Sequence, residues 1–312
     1  MTYKHVPVMQ KEVLFYLNCR PGKIFVDGTL GGSGHAASIC NSIVPHGLLI
    51  GIDQDIDSIN NGEKVLSPFK SNIRLVNDNF SNLHLILSEL GISGVDGILL
   101  DLGISFNQLM LSGRGFSFNE DSPLDMRMDT SSKVRAADLV NDLDEKSLSK
   151  IFRKFGEEKR SKQIARKIVN ARKDGAIKTS KELSDIVRSA LPSKILRTGK
   201  THPATRVFMA LRIAVNKELE MLESFMGNVD SLLNPGGRLC VISFHSLEDR
   251  LVKQGIKALE KGCTCPADFP ICTCNKKKVA RALTKKVVRP TEQEIALNPL
   301  ARSAKLRAME LL

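Results

Sequence analysis

The sequence predicts an α/β fold: a mostly parallel sheet covered on both faces, interrupted by a basic helical insertion. Three observations carry this. Short, nearly continuous apolar runs alternate with segments of helical length over the first hundred residues. The pattern then turns purely helical, and positive charge concentrates in that stretch. A glycine turn and another apolar run then restore the sheet pattern. Strands buried on both faces read as unbroken apolar runs, which is the mark of a parallel sheet between two helical layers.

Taken in order, Lys23-Ile-Phe-Val-Asp27, Leu48-Leu-Ile-Gly-Ile-Asp53, Ile73-Arg-Leu-Val76 and Val95-Asp-Gly-Ile-Leu-Leu-Asp101 are strands. Between the last two, Leu83, Ile86, Leu87 and Leu90 form one stripe of a helix spanning Phe80 to Leu90. Leu148, Ile151, Phe152 and Phe155 follow helical spacing, as do Ile164, Ala165, Ile168 and Val169. Thr179-Ser-Lys-Glu182 is a capping box opening a helix that Pro192 ends. Pro203 starts a long helix through Val207, Leu211, Val215, Leu219 and Leu222. Asn234-Pro-Gly-Gly237 is a turn into the strand Arg238 to Ser243. The predicted organisation is a sheet domain, residues 1–131 and 205–312, with an inserted helical domain over 132–204.

The formal net charge is +12, unevenly spread. Residues 1–145 carry 11 Lys and Arg against 18 Asp and Glu, whereas residues 146–206 carry 18 against 5. A single-sign segment beside an acidic one calls for a polyanionic partner, and nucleic acid is the expected class. With no Trp and two Tyr, stacking on bases falls to Phe, His or Arg. The first ten residues lack the apolar core of a signal peptide, and no run is long enough to span a bilayer. Seven cysteines, three of them scattered, fit a reducing cytoplasm.

The first strand runs into Asp27-Gly-Thr-Leu-Gly-Gly-Ser-Gly-His35, a turn that lets a ligand approach the backbone. Asp53 closes the second strand, where a carboxylate can accept both hydroxyls of a ribose. A tight structural turn with a solvent-facing Asp is the bland alternative. Gly28, Gly31, Gly32 and Gly34 do not fit the dehydrogenase spacing, and Asp27 inside the loop would repel a pyrophosphate. Asp27, Asp53, Asp78 and Asp101, all at or near strand ends, suit a cationic nucleoside without phosphate. That combination points to S-adenosylmethionine.

A set of uncommon strings then resembles the RsmH (MraW) family along nearly the whole chain. They are His5-Val-Pro-Val8, Asp27-Gly-Thr29 with Gly34-His35, Asp101-Leu-Gly103 with Gln108-Leu109, and Arg114-Gly-Phe-Ser-Phe118. Pro123-Leu-Asp-Met-Arg-Met-Asp129, Gly156-Glu-Glu158, His202-Pro-Ala-Thr-Arg206 and Leu211-Arg-Ile-Ala-Val-Asn-Lys-Glu218 follow. Ile242-Ser-Phe-His-Ser-Leu-Glu-Asp-Arg250, Arg289-Pro290 and Asn298-Pro-Leu-Ala-Arg-Ser-Ala304 complete the set. The resemblance implies a Rossmann-like class I methyltransferase sheet with an inserted helical substrate-recognition domain. It implies methyl transfer from S-adenosylmethionine to the exocyclic N4 of a cytidine in 16S rRNA of the small ribosomal subunit. The implied cofactor contacts are Ser33, Gly34, His35, Asp53, Phe80, Asp101 and Gln108. The family usually has Gly at the position of Ser33, and Ile104-Ser-Phe-Asn-Gln108 departs from its usual Val-Ser-Ser pattern. No membrane partner is implied, the setting is cytoplasmic, and the sequence leaves monomer or homodimer open.

Cytosine N4 is a weak nucleophile, so catalysis reduces to positioning and local electrostatics. Ser105 and His245 are the candidates near the reacting amine, although His245 fits helix capping equally well. Attack by ring carbon C5 would need a strand-end cysteine nucleophile, and Cys240 lies inside an apolar run. Cys263, Cys265, Cys272 and Cys274 read either as a zinc site of unusual C-x-C spacing or as a reduced surface loop, and no metal is assigned. The competing readings are methylation of DNA or another RNA, a nicotinamide oxidoreductase, and a non-catalytic RNA-binding protein.

Overall fold

The computed structural model describes residues 7–192, 202–261, 265, 269–271, 274 and 277–312. His5, Cys263 and Cys272, which figure in the motifs above, lie outside the described residues. The chain forms two compact units: residues 1–103 with 219–312, and residues 104–218.

The first unit opens with α1 (Gln10–Leu17), β1 (Ile24–Asp27), α2 (Gly34–Ile43), β2 (Leu48–Asp53) and α3 (Ile56–Val65). It continues through β3 (Ile73–Asn77), α4 (Leu83–Glu89) and β4 (Val95–Asp101). The second unit holds α5 (Phe106–Met110), α6 (Ala136–Asp142), α7 (Glu145–Gly156), α8 (Ser161–Ala171), α9 (Ser180–Ser189) and α10 (Thr205–Asn216). The chain then returns through α11 (Glu218–Asn228), β5 (Leu233–Ser243), α12 (Ser246–Lys261), β6 (Ala280–Ala282), α13 (Glu292–Leu297) and β7 (Lys305–Leu311).

The seven strands make one sheet in the order β3-β2-β1-β4-β5-β7-β6. The pairs among β1 to β5 are parallel, and β7 is antiparallel to both its neighbours. Side chains alternate across the sheet as period two requires. Phe25, Leu49 and Leu99 face a core built with Val13, Leu17 and Ile39. Val26, Ile50, Ile98 and Leu100 face the opposite core with Leu83, Leu222, Phe225 and Val252. Strand order reverses between β1 and β4, so their carboxyl ends border the crevice where open α/β sheets bind ligands.

The second unit buries the apolar stripes of its helices: Leu148 and Phe152 of α7, Ile164 and Ile168 of α8, Leu183 and Val187 of α9, and Val207 and Leu211 of α10. The capping box at Thr179 and Glu182 forms as the sequence predicts. The unit reaches beyond the 132–204 stretch because residues 104–131 are tied into it. Leu124 N–H donates to the Lys178 carbonyl, and Ser180 N–H to that of Ser122, each at 2.9 Å. Arg114 donates to the Arg127 and Met128 carbonyls.

Predicted elements differ in places: the helix over Phe80 to Leu90 opens as a 3-10 turn, Phe80–Asn82, before α4, and the Asn234 to Gly237 turn is taken up within β5. The long helix from Pro203 to Leu222 begins at Thr205 and breaks at Lys217, which is left-handed with φ 50°. Its neighbour Asn216 is claimed by tertiary contacts, accepting from Met128 N–H and donating to the Met126 carbonyl at 2.8 Å each. No helix among the described residues is long and apolar enough to cross a membrane.

Candidate active site

The glycine loop after β1 is stitched to both neighbouring strands. Gly28 N–H donates to the Leu99 carbonyl of β4, and Leu30 N–H to the Ile52 carbonyl of β2. Gly31 N–H donates to Asp53 Oδ2 at 2.8 Å, while Asp55 N–H donates to Asp53 Oδ1 at 2.9 Å. Thr29 Oγ1 accepts from Asp101 N–H at 2.6 Å, latching the loop to the end of β4. A Cβ at Gly28 would press on Leu100 Cδ2 and crowd Phe80 Cβ, so a larger residue there would push these side chains aside. Ser33 closes the turn in the left-handed region at φ 63°, a conformation that glycine adopts without steric cost. The helix α2 starts at the next residue, and a Cβ at Gly34 would collide with Pro7.

The sequence-predicted residues of the first unit gather around this loop. Asp53 pins it from β2. His35, buried in the first turn of α2, brings Nε2 within 3.7 Å of Asp101 Oδ2. Phe80 opens the turn after β3, edge-on to Phe225 with ring centroids 5.7 Å apart. Ser105 and Gln108 begin the second unit and form a reciprocal cap on α5: Ser105 Oγ accepts from Gln108 N–H, and Gln108 Oε1 accepts from Ser105 N–H. The S-x-x-Q spacing carried that signal.

The electrostatics are unusual for a folded interior. Asp27 is 1% exposed, and its Oδ2 has no hydrogen-bond partner among the described residues. Among the described residues its Oδ1 accepts from Thr29 N–H, at 3.2 Å. Burial pushes its carboxyl up to about 7, with the Asp53 charge adding to the effect and the Thr29 bond opposing it. Asp101 Oδ1 is likewise buried and unbonded among the described residues. Withdrawal from water, then the charges of Asp27 and Glu248, push Asp101 up to about 8. Buried carboxylates without partners are costly, so an arrangement that keeps two of them fits a cationic ligand.

His245 stands before α12. Its Nδ1 accepts from Glu248 N–H at 3.4 Å, and its Nε2 lies 3.0 Å from Glu248 Oε1. Glu248 Oε2 accepts from the N–H groups of Phe244 and His245. The helix-capping alternative thus describes the contacts of His245. Sequence reasoning missed Thr29 and Glu248; the spacing His245-x-x-Glu248 mimics a capping box and could have marked the second. Of the four clustered cysteines, Cys265 and Cys274 are half-buried, and the other two lie outside the described residues.

The profile of the MraW methylase family matches residues 2–312. The chain belongs to that family. Relatives named ribosomal RNA small subunit methyltransferase H are alike over full length. That of Desulforapulum autotrophicum is 55% identical over 98% of each chain. That of Geobacter sulfurreducens is 50% identical over 100% of each chain, and that of Brevibacillus brevis 46% over 100% of this chain and 99% of its own. Membership accounts for the strings that run from the glycine loop to Asn298-Pro-Leu-Ala-Arg-Ser-Ala304, which this MraW-family methylase carries in order.

Proposed function

We propose that this methylase transfers the methyl group of S-adenosylmethionine to the exocyclic N4 of a cytidine in 16S rRNA of the small ribosomal subunit, in the cytoplasm. The observation that carries the cofactor is the pair of buried, unbonded carboxylate oxygens on Asp27 and Asp101, beside a glycine loop and a strand-end Asp53. The names of the full-length relatives support the substrate.

Ser33, Gly34 and His35 would border the cofactor with the start of α2. Asp53 would take its ribose, Phe80 would pack against its base, and Asp101 and Gln108 would complete the contacts. When bound, the cofactor supplies an electrophilic methyl group. The protein's part is to hold the amine in line with it and to keep water out. Ser105 is the side chain proposed to meet the amine: its Oγ accepts Gln108 N–H in the cap and has a second acceptor site to hold an N4 hydrogen. His245 is the second candidate, working from its capped position.

Attack by C5 finds no support. Cys240 is fully buried in β5, and burial, followed by the charge of Asp101, pushes its thiol well above the ordinary range. Such a thiol is not ionised near neutrality.

The basic segment of the second unit is the proposed RNA contact. Lys162, Arg166 and Lys167 are exposed on α8, with Arg166 3.5 Å from Glu145. Arg172, of the same charge run, does other work: it donates to the carbonyls of Val140 and Leu143, both at 2.7 Å, at the end of α6.

The test is transfer of labelled methyl to purified small subunits, followed by nucleoside mass spectrometry. The expected product is N4-methylcytidine, with Cys240→Ser still active. Recovery of 5-methylcytidine, or transfer only to DNA or protein, would overturn the proposal.

A further inference from the structure

Asp53 and the pair Asp27–Asp101 are all strand-end carboxylates, yet they are built differently. Both oxygens of Asp53 accept backbone N–H groups. Among the described residues, Asp27 and Asp101 each keep a buried oxygen with no partner, and no Lys or Arg pairs with either. Among the described residues, the groups facing them offer little compensation. β2 brings Asp53, and α2 brings Cys40 and the imidazole of His35 at 3.7 Å. From α12 comes Glu248, and from β5 Cys240, whose thiol proton is held by burial and then by the Asp101 charge. Two carboxylates sharing so little water cannot both stay ionised without a cation nearby.

We propose that Asp27 and Asp101 form a charge-exchange pair, ionised against the cationic methyl donor and holding one proton against its neutral thioether product. This rests on the cofactor reading above. The balance of the transfer supports it. The amine lone pair forms the new N–C bond, and the C–S bond breaks with its electrons returning to sulfur. The sulfonium charge disappears, and the amine gives up one proton. The pocket, having lost one positive charge, takes up one proton, so its net charge is the same before and after. The pair therefore discriminates donor from spent product by charge, although the two ligands differ by a single methyl. Asp27 is the member to test, because its Oδ2 has no partner among the described residues.

Calorimetry of S-adenosylmethionine and S-adenosylhomocysteine binding, each in two buffers of different ionisation enthalpy near neutral pH, tests this on the intact protein. Donor binding should release roughly one more proton than product binding. The donor-to-product affinity ratio should climb by up to about tenfold per unit between pH ~6 and ~8. Asp27→Asn should shrink both effects and lower that ratio about tenfold or more. Equal proton counts for the two ligands on the wild-type protein would overturn the pair, and that comparison needs no variant to fold. Failure of the donor to bind at all would instead overturn the cofactor reading, and the pair with it.

Discussion

Two acids of the first unit and three of the second are treated in opposite ways. In the second unit, Asp125, Asp138 and Asp144 are matched. Burial alone would push Asp125 up, but Arg127, at 2.7 Å through both carboxylate oxygens, holds it below the ordinary range. Asp138 is lowered by its bond to Arg135, and Asp144 by capping Ser147. In the first unit, Asp27 and Asp101 are raised and left with buried, unbonded oxygens. Matched acids stabilise a scaffold. Unmatched ones cost stability in the free protein and reserve the site for a ligand that brings the missing charge.

The largest way to sharpen this contrast is to remove the unmatched charge. Asp27→Asn should stabilise the free protein by on the order of 2–4 kcal/mol near pH 8, measured by denaturant unfolding, while weakening cofactor binding. The sign follows from linkage. With folded values raised to about 7 and about 8, Asp27 and Asp101 favour folding at low pH, and that advantage is lost as pH climbs from the unfolded carboxylate value through those folded values. The gain should therefore fade toward pH ~4. Asp125 and Asp138, being lowered, act the other way: their contribution holds above the ordinary carboxylate value and is lost as pH falls below it. An Asp27→Asn protein no more stable than wild type near pH 8 would break the contrast.

Next in size is Asp53→Ala. Loss of the carboxylate frees Gly31 N–H and removes the ribose acceptor, so S-adenosylmethionine affinity measured by calorimetry should fall about tenfold or more. Unchanged affinity would remove Asp53 from the cofactor site.

The basic segment offers a paired test. Charge reversal at Lys162, Arg166 and Lys167 should flatten the salt dependence of RNA binding by about one unit of slope per lost phosphate contact and leave cofactor binding alone. Arg172→Ala should leave that slope unchanged. It should instead lower stability by about 1–3 kcal/mol, because the Val140 and Leu143 carbonyls lose their donor. Equal effects on the slope would place Arg172 on the RNA face as well.

The smallest expected effect is at the helix break. Lys217→Gly should raise the unfolding free energy by up to about 1 kcal/mol by relieving a left-handed residue at φ 50°. A loss of stability would mean that the lysine side chain supports the break.

Much of this was legible in the residues themselves. The apolar runs ending in Asp27, Asp53 and Asp101 placed three strands and their acids, because strand identity and its end are local properties of a short segment. The capping box at Thr179 and the strings shared with the MraW family were equally readable. The tertiary structure alone decided which acids share a pocket. Asp27 and Asp101 lie far apart in sequence and meet because β1 and β4 are neighbours at the point where strand order reverses. It also decided that Arg172 serves the Val140 and Leu143 carbonyls, and that Asn216 is drawn away to Met126 and Met128 where a continuous helical pattern breaks. Spacing and charge are written along the chain. Burial and the supply of hydrogen-bond partners depend on which distant segments pack together, and they separate a reserved carboxylate from a satisfied one.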